Sequence, residues 1–139
     1  MQHRFLFAGV VVCGLALAAA PLIAHHSVAA QFDRAKTVTL SGPVQKLDWI
    51  NPHARFLMDV TETNGTVTRW EIELSAPAML MRRGWTRSAL PIGKSVTVTG
   101  PTAKDGSKMM YATSVTLSDG KRVFSGSPEE LGGNTPPTQ

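Results

Sequence analysis

Two runs of alternating residues flank Asn64-Gly65, and they constrain this chain more than any other stretch. From Ala54 to Thr61, Phe56, Met58 and Val60 share one face and Arg55 and Asp59 the other, with Leu57 among them. From Thr66 to Leu74, Trp70, Ile72 and Leu74 share one face and Arg69, Glu71 and Glu73 the other. Successive strand side chains point to opposite faces, so unlike faces at period two mean strands buried on one side. Asn-Gly between them predicts a two-residue hairpin, because both central positions of that turn take positive φ. The pattern therefore puts Phe56, Met58, Val60, Trp70, Ile72 and Leu74 in a core. It leaves Glu71 and Glu73 on the outer face, where an acid/base pair is one reading and neighbouring solvated carboxylates the more ordinary one.

The rest of the chain builds around this hairpin. From Thr37, Val38, Leu40 and Val44 share a face, and then Leu47 and Trp49 carry the apolar positions. A phase switch inside one strand marks a bulge, and Gly42-Pro43 adds a bend. Such a long, bent strand can serve two sheets. In Trp49-Ile50-Asn51-Pro52-His53, proline pushes its predecessor toward extended geometry, so a corner is expected, with His53 opening the next strand. After the hairpin, Ser75 reads as the N-cap of a short helix over Ala76–Arg83, with Gly84 as its left-handed C-cap. Val96 and Val98 mark a fourth strand ending at Gly100-Pro101, and Met109–Leu117 a fifth. Lys121–Phe124 reads as a short edge strand. The expectation is an all-β fold: a five-stranded OB-like Greek-key barrel with a short helix between strands 3 and 4. A plain meander with an appended helix is the competing arrangement.

The N-terminus reads as a signal peptide over residues 1–24. His3 and Arg4 form a basic start, Phe5–Ala20 is apolar but too short for a membrane span, and Ala24 suits a cleavage site. Residues 25–36 read as an arm docking through Phe32, residues 37–124 as the barrel, and residues 125–139 as a disordered tail. Removing 24 of the 139 residues leaves 115, one domain's worth. Cys13 leaves with the signal, so neither a disulfide nor a thiolate ligand remains. Of 14 Lys and Arg, Arg4 is also lost, leaving 13 against 10 Asp and Glu. That excess, together with export to the periplasm or medium, predicts no nucleic-acid partner and no stable membrane span after processing.

Ala24-His25-His26-Ser27, Phe32-Asp33, Trp49-x-Asn51-Pro52-His53, Trp70-x-x-Glu73, Arg82-Arg83-Gly84-Trp85-Thr86 and Asp105-Gly106-Ser107 occur in an order that resembles one group. The chain is similar to a family of small exported bacterial proteins of unknown function. The resemblance runs from His25 to about Phe124. It implies export and this fold, and it carries no established activity. The architecture also resembles periplasmic bacterial OB-fold proteins.

Candidate sites follow from residue chemistry. A cut after Ala24 would give His25 an α-amine beside its imidazole, and His26 adds a second ring. Such a nitrogen set suits copper(II), and zinc(II) accepts the same histidines. The ordinary reading is a histidine pair left over from processing. His53 is the candidate further ligand, since the loop between strands 1 and 2 lies at the binding face of an OB barrel. Its ordinary reading is a turn histidine beside Trp49. A metal-free alternative uses Trp49, Asn51, Arg83 and Trp85, with the guanidinium groups of Arg82, Arg83 and Arg87 around Trp85 binding a small anion and the tryptophan stacking on it. There, helix C-terminal charge and a core tryptophan are the ordinary reading. Met58, Met79, Met81, Met109 and Met110 fit packing better than soft copper ligation. No nucleophile triad, metalloprotease helix or nucleotide loop is present, so the sequence supports no catalytic residue. The expected function is therefore a binding or accessory module that holds copper or zinc. The alternative is the same barrel binding a small anion or a partner protein.

Overall fold

The computed structural model describes residues 27–126. The expected signal peptide, the His25-His26 pair and the tail beyond Gly126 lie outside the described residues. A short helix α1 (Ser27–Gln31) leads into β1 (Phe32–Asp48), followed by β2 (Arg55–Thr61), β3 (Val67–Glu73), helix α2 (Pro77–Arg82), β4 (Ser95–Ala103), β5 (Met109–Tyr111), β6 (Ser114–Leu117) and β7 (Arg122–Ser125).

β2 and β3 pair antiparallel from Arg55↔Glu73 to Thr61↔Val67, as the alternation requires. β1 pairs β2 at one end and β4 at the other, β5 joins β4 through Thr102↔Met110, and β5 lies parallel to β3. The ring β1–β2–β3–β5–β4–β1 is thus closed. With α2 between β3 and β4, this is the OB-fold barrel. Phe56, Met58, Val60, Trp70, Ile72 and Leu74 are all buried in one core, with Val44, Leu80, Trp85, Val96, Val98, Met110 and Val115.

β1 has 17 residues and the expected bulge, a register shift between Val44 and Lys46. Gly42 lets it pass close to β2: a Cβ there would lie 2.0 Å from the Asp59 carbonyl oxygen. On the β4 side, hydroxyl pairs Thr39–Thr99 and Ser41–Thr97 bridge the strands at 3.0 and 2.9 Å.

Four local expectations are corrected. The strand begins at Phe32, not Thr37, because Phe32 pairs with Ala103 and packs with Val28 and Tyr111 in a second small core. The hairpin turn is longer than two residues. Glu62 N–H donates to Thr66 and Gly65 N–H to Glu62, and Gly65 alone takes positive φ, with the Asn64 side chain accepting from Thr66 N–H. Ser75 is not the helix N-cap, because its carbonyl accepts from Ala54 N–H and draws it into the ladder; Ala76 takes the cap position. The fifth strand is split at Ala112-Thr113, its first part lying between β3 and β4 and its second between β4 and β7. At the helix end Gly84 is left-handed as expected, at φ 83°. Gly84 and Trp85 N–H reach back to Met81 and Leu80, and Trp85 joins Leu80 in the core.

Candidate functional site

At the end of the hairpin the barrel carries a polar cluster on its outer face. Ala54 N–H donates to Ser75 and Leu74 N–H to Ala54, which fixes the loop from Trp49 to Ala54 against β3 and sets His53 beside Glu73. His53 Nδ1 is hydrogen-bonded to Glu73 Oε1. With Glu73 ionised its carboxylate can only accept, which places the Nδ1 proton in this bond and leaves Nε2 as the other ring nitrogen. Arg55 Nη1 donates to Glu71 Oε1 at 2.9 Å, and its Nη2 lies 3.5 Å from Glu73 Oε2. That Glu73 oxygen is buried and has no hydrogen bond among the described residues. One guanidinium faces two carboxylates, so the cluster carries one net negative charge with both carboxylates ionised and His53 neutral.

Glu73 is 3% exposed, which corrects the expectation of a solvated carboxylate. Its parity is outward, as read from the sequence, but the outer face is covered at this point. Glu73 pairs with Tyr111 of β5, and Tyr111 is buried under Val28 and Phe32. The Tyr111 ring stands edge-on to His53, centroids 6.4 Å apart, and lies 5.8 Å from Phe32. Sequence reasoning found His53 but assigned no role to Arg55, Glu73 or Tyr111. The signal available was the Trp70-x-x-Glu73 motif.

The other candidates lie elsewhere. Trp49 lines a groove of about 590 Å³ with Ile50, Arg87, Leu90 and Ile92. Arg83 and Trp85 line a different cleft of about 380 Å³ with Lys121 and Arg122, and Trp85 is 4% exposed. Asn51 is exposed in the corner loop. The four residues of the anion alternative are therefore not brought to one cleft. Among the described residues no three His, Cys, Asp or Glu side chains gather as a metal cluster. His25 and His26 lie outside that range.

The sequence model of a family of unknown function (DUF6152) matches residues 11–112. The chain belongs to DUF6152. As the resemblance implied, membership brings no assigned activity. No curated protein matches the chain. Several solved structures do. The dimeric N-terminal domain of PriB from Thermoanaerobacter tencongensis is 20% identical, covering 60% of this chain and 96% of that one, with a TM-score of 0.43. The mitochondrial single-stranded DNA-binding protein Rim1 of S. cerevisiae is 12% identical over 63% of this chain and 94% of its own, with a TM-score of 0.44. Yeast Stn1 and Ten1 match at 12% identity over 58% and 42%, with a TM-score of 0.40. These likenesses are of fold. One expectation is corrected by them: nucleic acid is not excluded as a partner, because a single-stranded DNA-binding protein is among the matching barrels. Net charge is a poor ground for that exclusion, since proteins that bind single strands do so through a local basic groove whatever their overall charge.

Proposed function

We propose that this DUF6152 chain is an exported OB-fold binding module that holds a divalent transition metal, copper or zinc, through His53 together with His25 and His26. The observation that carries the reading is the pairing of His53 Nδ1 with a buried carboxylate. Histidines that ligate metals commonly donate their other ring N–H to a carboxylate, which fixes the tautomer and strengthens the free nitrogen as a donor. The His53 side chain is 24% exposed, so a ligand can approach it. The net negative charge of the Arg55–Glu71–Glu73 cluster favours a cation.

Chain connectivity supports the same reading. His26 directly precedes α1, whose Val28 packs with Phe32 and Tyr111, and Tyr111 lies against His53. In sequence His26 is two residues from Val28, a separation that a chain spans in at most about 7 Å. Export supplies the free amine: a cut after Ala24 makes His25 the first residue. An amine with imidazoles favours copper(II), and zinc(II) is the alternative occupant.

The test is calorimetric titration of the mature protein, its first residue verified by mass, with copper(II) and zinc(II). His53→Ala and the double variant His25→Ala, His26→Ala should each weaken binding, and copper(II) should bind more tightly than zinc(II). Affinity should fall with pH through the histidine range, because the metal displaces protons from its ligands. Equal affinity in wild type and both variants, or no binding in any, would remove the metal from the reading.

A further inference from the structure

We infer that the groove between the end of β1 and the segment leading into β4 is a binding site for an amphipathic monocarboxylate, with Arg87 as the carboxylate anchor and Trp49, Ile50 and Ile92 as the apolar wall. The site uses none of the residues of the metal reading. Its volume of about 590 Å³ falls within the range of small-molecule sites. Ile50 and Ile92 are 61% and 58% exposed, although both are large aliphatic residues on a small barrel. They come from separate segments, the corner loop and the turn before β4, and line one groove. Leu90 and the half-buried Trp49 continue that apolar surface into the core.

The charges of the groove point to the sign of the ligand. Lys46 and Asp48 both line it, and they neutralise each other through a 2.8 Å ion pair. Arg87 lines it as well and has no hydrogen bond or ion pair among the described residues. One positive charge therefore remains beside an apolar wall. A guanidinium binds a carboxylate through two parallel N–H donors, more strongly where the surroundings are partly dry. An apolar tail with one carboxylate satisfies both halves of the groove. A neutral apolar molecule leaves Arg87 unmatched, and a compact inorganic anion leaves the isoleucines uncovered.

The experiment is a titration of isotope-labelled mature protein with decanoate, followed by amide shifts, with decanol as the neutral control. Shifts should concentrate at Trp49, Ile50, Arg87 and Ile92. Arg87→Gln should weaken decanoate roughly tenfold or more, the expected loss of a charged hydrogen-bond pair, and leave decanol unchanged. Arg87 is exposed, and an unchanged spectrum away from the groove confirms that the variant keeps the fold. Equal decanoate affinity in wild type and Arg87→Gln would overturn the inference, as would shifts centred on another surface. A short single-stranded oligodeoxynucleotide shifting the groove residues at lower concentration than decanoate would overturn it in favour of a nucleic-acid groove.

Discussion

Replacing Gly100 with alanine should open the barrel at one of its two close backbone crossings among the described residues, the other being Gly42. Gly100 lies in β4 opposite Val38 of β1, and its φ is not positive, so conformational freedom is not what requires a glycine. Close approach is. A Cβ at this position would stand 2.0 Å from the Tyr111 carbonyl oxygen, 2.9 Å from its carbon and 3.2 Å from Ala112 Cα. Carbon and carbonyl oxygen normally approach no closer than about 3.3 Å, so one of the two backbones must move by roughly 1.3 Å. Neither yields readily. β5 is fixed by pairing with β3, and Ala112 N–H donates to Glu73 at 2.8 Å. Overpacking of this kind costs about 1–3 kcal/mol, and a backbone obstacle belongs at the upper end. The reduced freedom of the unfolded alanine chain offsets about 0.4–1 kcal/mol. A net loss of about 2–2.6 kcal/mol should lower Tm by roughly 8–20 °C for a domain of this size. Gly65→Ala is the control: nothing lies within 4 Å of its Cβ, and only its φ of +84° resists the change. Urea unfolding of the mature chain, read by tryptophan fluorescence, measures both. The reasoning fails if Gly100→Ala stays within about 0.5 kcal/mol of wild type, the range of an ordinary surface change. It also fails if Gly65→Ala is the more damaging of the two.

Three further outcomes follow from side chains. Ile72 is fully buried, so Ile72→Ala should cost about 2–5 kcal/mol in the same urea assay. Glu73→Gln should weaken the proposed metal binding about 10–100-fold by releasing the His53 tautomer, readable in calorimetry and in the ring-proton spectrum; unchanged affinity would deny Glu73 its orienting part. The Asp59 carboxyl is held below its ordinary value of 3.8 by hydrogen bonds from Arg69. Its folded value lies below the unfolded one, so its stabilisation is present above about pH 4 and is lost as pH falls through the folded value. The stability gap between wild type and Asp59→Asn should therefore narrow in acid, and a gap that widened there would refute the assignment.

How far the sequence could be read depended on where each residue's neighbours came from. Trp70, Ile72 and Leu74 declared their face because Arg69, Glu71 and Glu73 occupy the other, and a hairpin partner is close in sequence. Glu73 shares the parity of Glu71, yet one is buried and the other half-exposed. The difference is made by Tyr111, 38 positions further on, and by Val28 and Phe32 at the start of the chain. No local pattern announces such a cover. The break at Ala112-Thr113 is hidden for a related reason: apolar alternation runs through it, and only the exchange of β3 for β7 as the second neighbour, with β4 on both sides of the break, reveals it. Asn64-Gly65 was read correctly as a turn and incorrectly as to its length, because Gly65 alone needs positive φ once Glu62 pairs with Thr66. His53 stood out by its rarity in the chain, whereas its partners did not.

The seam between β1 and β4 also dictates an order of assembly. It joins Phe32 to Ala103, 71 positions apart, whereas β2 and β3 meet across a short turn. Contacts so distant form late, because the chain between them must first be gathered. Until Ser95–Ala103 arrives, half of the longest strand presents a bare hydrogen-bonding edge, the kind of surface on which chains aggregate. A chain ending before Ser95 would keep the hairpin and lose the clasp. Thr39 and Ser41 place hydroxyls along this waiting strand and keep its outer row compatible with water, and Thr99 and Thr97 of the arriving β4 then bond to them.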